Sequence, residues 1–144
     1  MADLIKDGAD EVVARINAGS YSYADSFTAA RAYAPSWDKT ELQTVKVSVV
    51  PRTLVVNLES RSSDRELIDI QVAVQKAVDP AAVSDVDALM LLVEEIRLQL
   101  RRYILPTTPQ LNWTAVANDP IYDPAMRENR IFTSVLTLTY AAFR

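Results

Sequence analysis

Apolar residues recur at helical spacing in two stretches of the chain. In the second stretch the apolar positions advance by three or four residues at each step, which gives a helix one apolar face; they are Val86, Leu89, Val93, Ile96, Leu100 and Tyr103. This pattern predicts a long helix over about residues 85–103, with Ser84 or Asp85 as its N-terminal cap. The first stretch predicts a helix over about residues 3–17 that ends before Gly19.

Between the two helices the pattern changes to alternation of apolar and polar residues, which is typical of strands with one buried face. It predicts central strands over about residues 44–76. Pro51 has no backbone donor, so it predicts a bulge or turn in the first strand, and the polar run at 60–64 predicts the turn that follows. The clearest alternation is formed by Ile68, Ile70, Val72 and Val74. A second alternating region predicts C-terminal strands over about residues 112–141.

The order of these elements is helix, several strands, helix, two strands, with a short strand expected within Phe27 to Tyr33. That order predicts an α+β fold with a mostly antiparallel sheet and the two main helices packed on one face. The length of 144 residues suits a single domain over 1–144.

Composition narrows the chemistry that the chain can perform. It contains no His and no Cys, which removes imidazole bases, thiolate nucleophiles and the commonest ligands of transition metals. Two glycines are too few for a glycine-rich phosphate loop. The serines have no histidine to activate them, and no spacing supports a Ser–Lys pair. We therefore expect no enzymatic activity and no cofactor.

Two groups of oxygen-bearing side chains are candidate sites. Glu94 and Glu95 are neighbours on the predicted helix and point about 100° apart, so a solvated helix flank is the expected role. Asn118, Asp119 and Asp123 are oxygen donors that could contact a hard cation, but their Asp–Pro pairs also form turns. A hydrolase built on these carboxylates stays an alternative; the expectation is that the chain has no metal site.

The net charge is −4 and the isoelectric point is near 4.8, which argues against a free-standing nucleic-acid binder. No apolar run is long enough to span a membrane, and the segment from Met1 to Asp7 lacks the apolar core of a secretory signal. The expectation is a protein that stays in the cytoplasm of the cell that makes it and has no membrane partner.

Aromatic and arginine side chains supply the candidate interface. The aromatic segment from Tyr21 to Trp37 either covers one end of the core or contacts another subunit, because Tyr and Trp are enriched in interfaces. One group of arginines flanks the central hairpin and another gathers at the end of the long helix, where each group either faces solvent or binds an anionic partner. The candidate interface residues are Tyr21, Tyr23, Trp37, Arg52, Arg61, Arg65, Arg101 and Arg102.

Three stretches form a recognisable set with the long helix that lies between the second and third. They are VSVVPR at 47–52, IDIQVAVQK at 68–76 and NDPIYDPAMRENRIFTSVLTLTY at 118–140. Taken in this order, they resemble small neck proteins of tailed bacteriophages and prophages, most closely the tail-terminator type. The resemblance covers about residues 40–140.

The resemblance implies an α+β subunit that assembles into a ring, usually of six copies, which caps the tail tube and joins it to the head. The implied partners are further copies of the chain, the major tail tube protein and a head-side connector or stopper protein, while DNA passes through the channel without sequence readout. The implied location is the virion neck, with the host cytoplasm during assembly. The chain termini, the 60–64 turn and the 106–110 loop are candidates for contacts along the ring axis with the tube or connector.

Two further alternatives stay open beside the hydrolase. One is a head–tail joining or stopper protein of the same neck. The other is a monomeric module that binds a peptide at an exposed sheet edge.

Overall fold

The structure is a computed structural model that describes residues 4–33, 41–79, 81–105, 111–119, 121–124 and 130–143. In chain order its helices and strands are α1 (Leu4–Asn17), β1 (Ala29–Arg31), β2 (Lys46–Leu58), β3 (Asp64–Ala77), α2 (Val83–Leu100), β4 (Asn112–Asn118) and β5 (Ile131–Phe143), with a short 3-10 turn at Glu41–Gln43. The two helices pack against a five-stranded, mostly antiparallel sheet, so the predicted α+β class is confirmed.

The strands lie in the order β1-β2-β3-β5-β4. β1 pairs with β2 in parallel, and the other three pairs are antiparallel. Alternation along β3 buries the four residues that the pattern placed on one face, Ile68, Ile70, Val72 and Val74. Because cross-strand partners share a face, their neighbours on β5, which include Leu138 and Tyr140, are buried in the same core. This face is the helix side of the sheet.

The helices cover the helix side with their apolar faces. α1 buries Leu4, Ala9, Val12 and Ile16, and α2 buries Leu89, Leu92, Val93, Ile96 and Leu100. Gly8 lets α1 approach the sheet, because a Cβ atom there would lie 3.0 Å from Cδ1 of Leu111 and 3.6 Å from Cδ1 of Ile70. An interior glycine that weakens the helix pattern is thus explained by packing.

The long helix lies slightly nearer the N-terminus than the predicted bounds of about 85–103. The helix begins at Val83 after Ala82, which makes no side-chain capping hydrogen bond, so neither Ser84 nor Asp85 is the cap. It ends at Leu100 rather than at Tyr103. Arg102 adopts a φ of 55°, which turns the chain out of the helix. Tyr103 still packs against the core from this turn. Because it follows Leu100 by three residues, its position also fits a helix, and the predicted helix was therefore too long at this end.

The central hairpin follows the pattern closely. The pairing of β2 with β3 shifts register between Pro51 and Thr53, which confirms the predicted bulge. The polar run between the strands forms the turn, where the amides of Glu59 and Ser60 both donate to the carbonyl oxygen of Ser63. Of the short strand expected within Phe27 to Tyr33, only the three residues of β1 are extended in the sheet.

Candidate assembly surface

The far half of the β2–β3 hairpin, residues 52–66, extends beyond the helix layer, and we call it the arm. Its apolar side chains are exposed: Leu54 by 43%, Val55 by 50%, Val56 by 49% and Leu58 by 79%. Scattered exposed apolar residues are normal on a protein surface, but three of these four, Leu54, Val56 and Leu58, lie on one side of the strand and form a patch. A patch of this kind marks an interaction surface.

The strand register fixes which side of the sheet each arm residue occupies. Leu54 lies opposite the buried Ile68, so it is on the helix side. The next pairs on that side are Val56 with Glu66 and Leu58 with Asp64. The helix side of the arm therefore combines three exposed apolar side chains with two carboxylates.

Both outer edges of the sheet are open in the described part of the chain. β1 pairs with β2 only at Val47–Val49, so no described strand lies along the outer edge of β2 beyond Pro51. Residues 53–58 read TLVVNL and contain neither a charge nor a proline, which are the usual devices that protect an edge strand. At the other edge, β4 pairs with β5 alone.

A groove lies beside the start of β4, and we call it the Trp113 groove. Its volume is about 520 Å³, and its lining residues are Arg102, Tyr103, Ile104, Leu111, Asn112 and Trp113. Trp113 pairs with Tyr140, which places the indole on the helix side of the sheet. Ile104 is 74% exposed. The groove thus offers apolar surface next to an arginine at the open edge.

The predicted interface arginines fall into two groups at opposite edges of the sheet. Arg52, Arg61 and Arg65 are all exposed and lie on the arm, at the bulge, in the turn and at the start of β3. Arg101 and Arg102 are exposed and follow α2, and Arg102 lines the Trp113 groove. The structure therefore links each group to one open edge.

Tyr21 is held within its own subunit. Its hydroxyl donates to the carbonyl oxygen of Ile16 at 2.7 Å, and its ring centroid lies 5.3 Å from that of Phe27. Burial raises the pKa of Tyr21 to about 12. Through these contacts Tyr21 covers the end of the core next to α1, which is one of the two roles expected for the aromatic segment. Its other expected role, in an interface, stays a prediction.

Tyr23 is half-buried against the same end of the core. Burial raises its pKa, and the nearby carboxylates of Asp25 and Asp85 act in the same direction. The preceding residue is fixed to α2, because the amide of Ser22 donates to a carboxylate oxygen of Glu95 at 2.9 Å. Trp37 lies outside the described residues, as does the 106–110 loop.

Two of the candidate side chains, Glu94 and Asn118, have structural partners. Arg97 donates to Glu94, and this hydrogen bond lowers the pKa of the Glu94 carboxyl group. Asn118 accepts a hydrogen bond from the Ser134 hydroxyl at 3.0 Å. Within the described ranges, no three acidic side chains come together to hold a metal ion.

Comparisons with known proteins do not assign the chain to a family. No protein-family model matches the chain, and a search of the curated proteins finds no match. No helix in the described part of the chain is long and apolar enough to cross a membrane. The arm, the Trp113 groove and the two open edges are the candidate functional features of the described residues.

The predicted interface omitted the apolar residues of these features, including Leu58, Ile104 and Trp113. One signal was present in the sequence. The run Leu54-Val55-Val56 breaks the alternation of β2, and an apolar run in a strand indicates that neither side is meant to face water.

Proposed function

We propose that this chain is a phage tail terminator, a structural protein that forms a ring, caps the tail tube and joins it to the head. The observation that carries the proposal is the pair of open sheet edges, one of which bears the apolar arm. An unprotected edge strand is a site for pairing with another chain. The resemblance of 47–52, 68–76 and 118–140 to phage neck proteins supplies the biological setting.

The directions of the two edge strands favour a ring. β2 is antiparallel to β3, β3 to β5 and β5 to β4, so β2 and β4 run in opposite directions. A rotation about an axis along the strands preserves these directions, and β4 of one copy then meets β2 of the next as an antiparallel neighbour. Such head-to-tail contacts close into a ring when the rotation closes.

The second face of the sheet suits the passage of DNA. The described helices pack on the other face, and this face carries the half-buried polar side chains of Gln71, Gln75, Thr137 and Thr139 together with the carboxylate of Asp69. Tight DNA binding needs cations that neutralise phosphates. In the proposed ring this face lines the channel, where polar side chains with few cations let the DNA backbone slide.

Electron microscopy of tail tubes tests the proposal. Purified protein is mixed with tubes polymerised from the major tail tube protein of the same phage or prophage, and we expect a ring at one tube end. Leu58→Ser should abolish most of the capping, because it removes exposed apolar surface from the arm. Leu98→Ser is the matched control, since Leu98 is half exposed on α2. Bare tube ends with the unaltered protein would refute the proposal.

The open edge also favours a second candidate, a monomeric module that adds a peptide to the sheet as an extra strand. This candidate predicts a protein that stays monomeric at all concentrations and does not cap tubes. A head–tail joining or stopper protein would use the same ring one tier higher. Cryo-electron microscopy that places the ring against the portal-side adaptor, instead of on the tube, would favour that assignment.

A further inference from the structure

We propose that the arm of one copy packs into the Trp113 groove of the next copy. This inference rests on the proposed ring and names the contact that builds it. The contact has three supports on this chain: position in the sheet, apolar surface and charge.

The position of the contact follows from one row of the sheet, that is, one line of residues paired across neighbouring strands. Leu54 pairs with Ile68, Ile68 with Tyr140, and Tyr140 with Trp113, so Leu54 and Trp113 occupy the same row at opposite edges. Both are on the helix side of the sheet. A rotation about an axis along the strands changes neither the side nor the row. The arm of one subunit is therefore carried to the level of its neighbour's groove.

The apolar surfaces match in kind. The helix side of the arm presents Leu54, Val56 and Leu58, with exposed fractions of 43%, 49% and 79%. The groove presents Ile104 and the indole of Trp113 beside an open strand edge. Pairing of the edges would align these side chains and remove them from water together, which is the main favourable contribution to association.

The charges at the margins are opposite. Asp64 and Glu66 lie on the helix side of the arm, opposite Leu58 and Val56. Arg102 lines the groove and Arg101 precedes it in the chain; both are exposed, and neither forms an ion pair within the described residues. Opposite charges at an interface fix its orientation and register. The arm is thus complementary to the groove in charge as well as in apolar surface.

This complementarity is why we assign a second copy, and not an unrelated peptide, to the groove. A peptide needs only an open edge, whereas the arm also matches the groove in row, side and charge. A two-fold arrangement of arm against arm would place the carboxylates of Asp64 and Glu66 on both sides of the contact, without the arginine that lines the groove. The head-to-tail contact brings opposite charges together instead.

Disulfide trapping tests the contact directly, because the chain has no cysteine of its own. The double variant Val56→Cys/Ile104→Cys places one thiol on the arm and one in the groove, both at exposed positions that should tolerate the change. After oxidation we expect a ladder of covalent multimers on a non-reducing gel, ending at the ring size. Either single variant should give no species beyond a dimer. Val56→Cys/Val83→Cys is the control pair, since Val83 is exposed at the opposite end of α2.

A charge exchange tests the same contact without cysteine chemistry. Asp64→Arg and Arg102→Asp, made singly, should each weaken assembly about tenfold, and the combined variant should recover most of the loss. Aspartate tolerates the φ of 55° at position 102, so the fold should be kept. Circular dichroism and urea denaturation of each variant verify that only association changes.

The possible results separate the inference from the proposed function. A ladder specific to the arm–groove pair, with recovery by the charge exchange, supports the inference. Assembly by mass without that ladder overturns the contact and leaves the tail-terminator proposal standing. A protein that forms no multimer at any concentration and does not cap tubes overturns both.

Discussion

Arg15 and Gln99 exchange hydrogen bonds in both directions between the C-terminal ends of α1 and α2. Nε of Arg15 donates to the carbonyl oxygen of Gln99 at 3.0 Å, and Nε2 of Gln99 donates to the carbonyl oxygen of Arg15 at 3.1 Å. The Arg15 guanidinium also lies 4.7 Å from the ring centroid of Tyr103. These contacts hold the turn after α2, and therefore the residues that form one side of the Trp113 groove.

We expect Arg15→Ala to lower the free energy of unfolding by about 1–3 kcal/mol, because it removes a partly buried charged hydrogen bond and the cation–π contact. Urea denaturation measures the change. Arg97→Ala is the matched control, since Arg97 pairs only with its helical neighbour Glu94 on an exposed surface and should cost about 0.5 kcal/mol or less. Equal losses of unfolding free energy in the two variants would show that the contact between the helices stabilises the fold no more than an exposed ion pair does.

The two glycines should respond differently to alanine. A Cβ atom at Gly19 would lie 2.6 Å from the hydroxyl oxygen of Tyr21 and 2.8 Å from its Cζ, so Gly19→Ala must displace the ring. We expect a loss of about 1–3 kcal/mol in the free energy of unfolding. At Gly8 the 3.0 Å contact with Leu111 is offset by the helix preference for alanine, so Gly8→Ala should stay within about 1 kcal/mol of the unaltered chain. Thermal or urea denaturation of both variants checks the order, and the reverse order would contradict it.

Stability should fall in alkaline solution through Tyr21. Its pKa is raised from 10.0 to about 12 by burial, so the folded chain keeps the phenol proton at a pH where the unfolded chain releases it. The stabilising contribution is complete below pH 10 and is lost as the pH rises toward 12. Urea denaturation at a series of pH values should show this decline, and Tyr21→Phe should make it shallower. An unchanged slope in Tyr21→Phe would assign the decline to other groups.

The fold was predictable where local pattern and tertiary packing agree. The alternation from Ile68 to Val74 predicted one buried face of β3, and the lack of a backbone N–H at Pro51 predicted the bulge in β2. The end of α2 was not predictable from spacing, because Tyr103 packs from a turn at a position that also fits a helix. A periodic pattern indicates that a residue is buried, but it does not indicate whether the backbone at that residue is helical or forms a turn.

The assembly surface was only partly predictable, for a topological reason. Which strands lie at the edges depends on the order β1-β2-β3-β5-β4, in which β5 lies between β3 and β4 and leaves β4 at the edge. That order is a long-range property, so Trp113 gave no sign of lying at an edge. The arm arginines could be named from the hairpin pattern, whereas the exposure of Leu58 required knowing how far the helices reach.

Mass in solution tests the central claim most directly. Native mass spectrometry or light scattering over a concentration series should show the subunit of 16.0 kDa giving way to a discrete species near six times that mass, about 96 kDa. A discrete mass is the mark of a closed ring, and the species should be lost in Leu58→Ser and kept in Leu98→Ser. A mass that stays at 16.0 kDa at every concentration and in the presence of tail tubes would contradict the account.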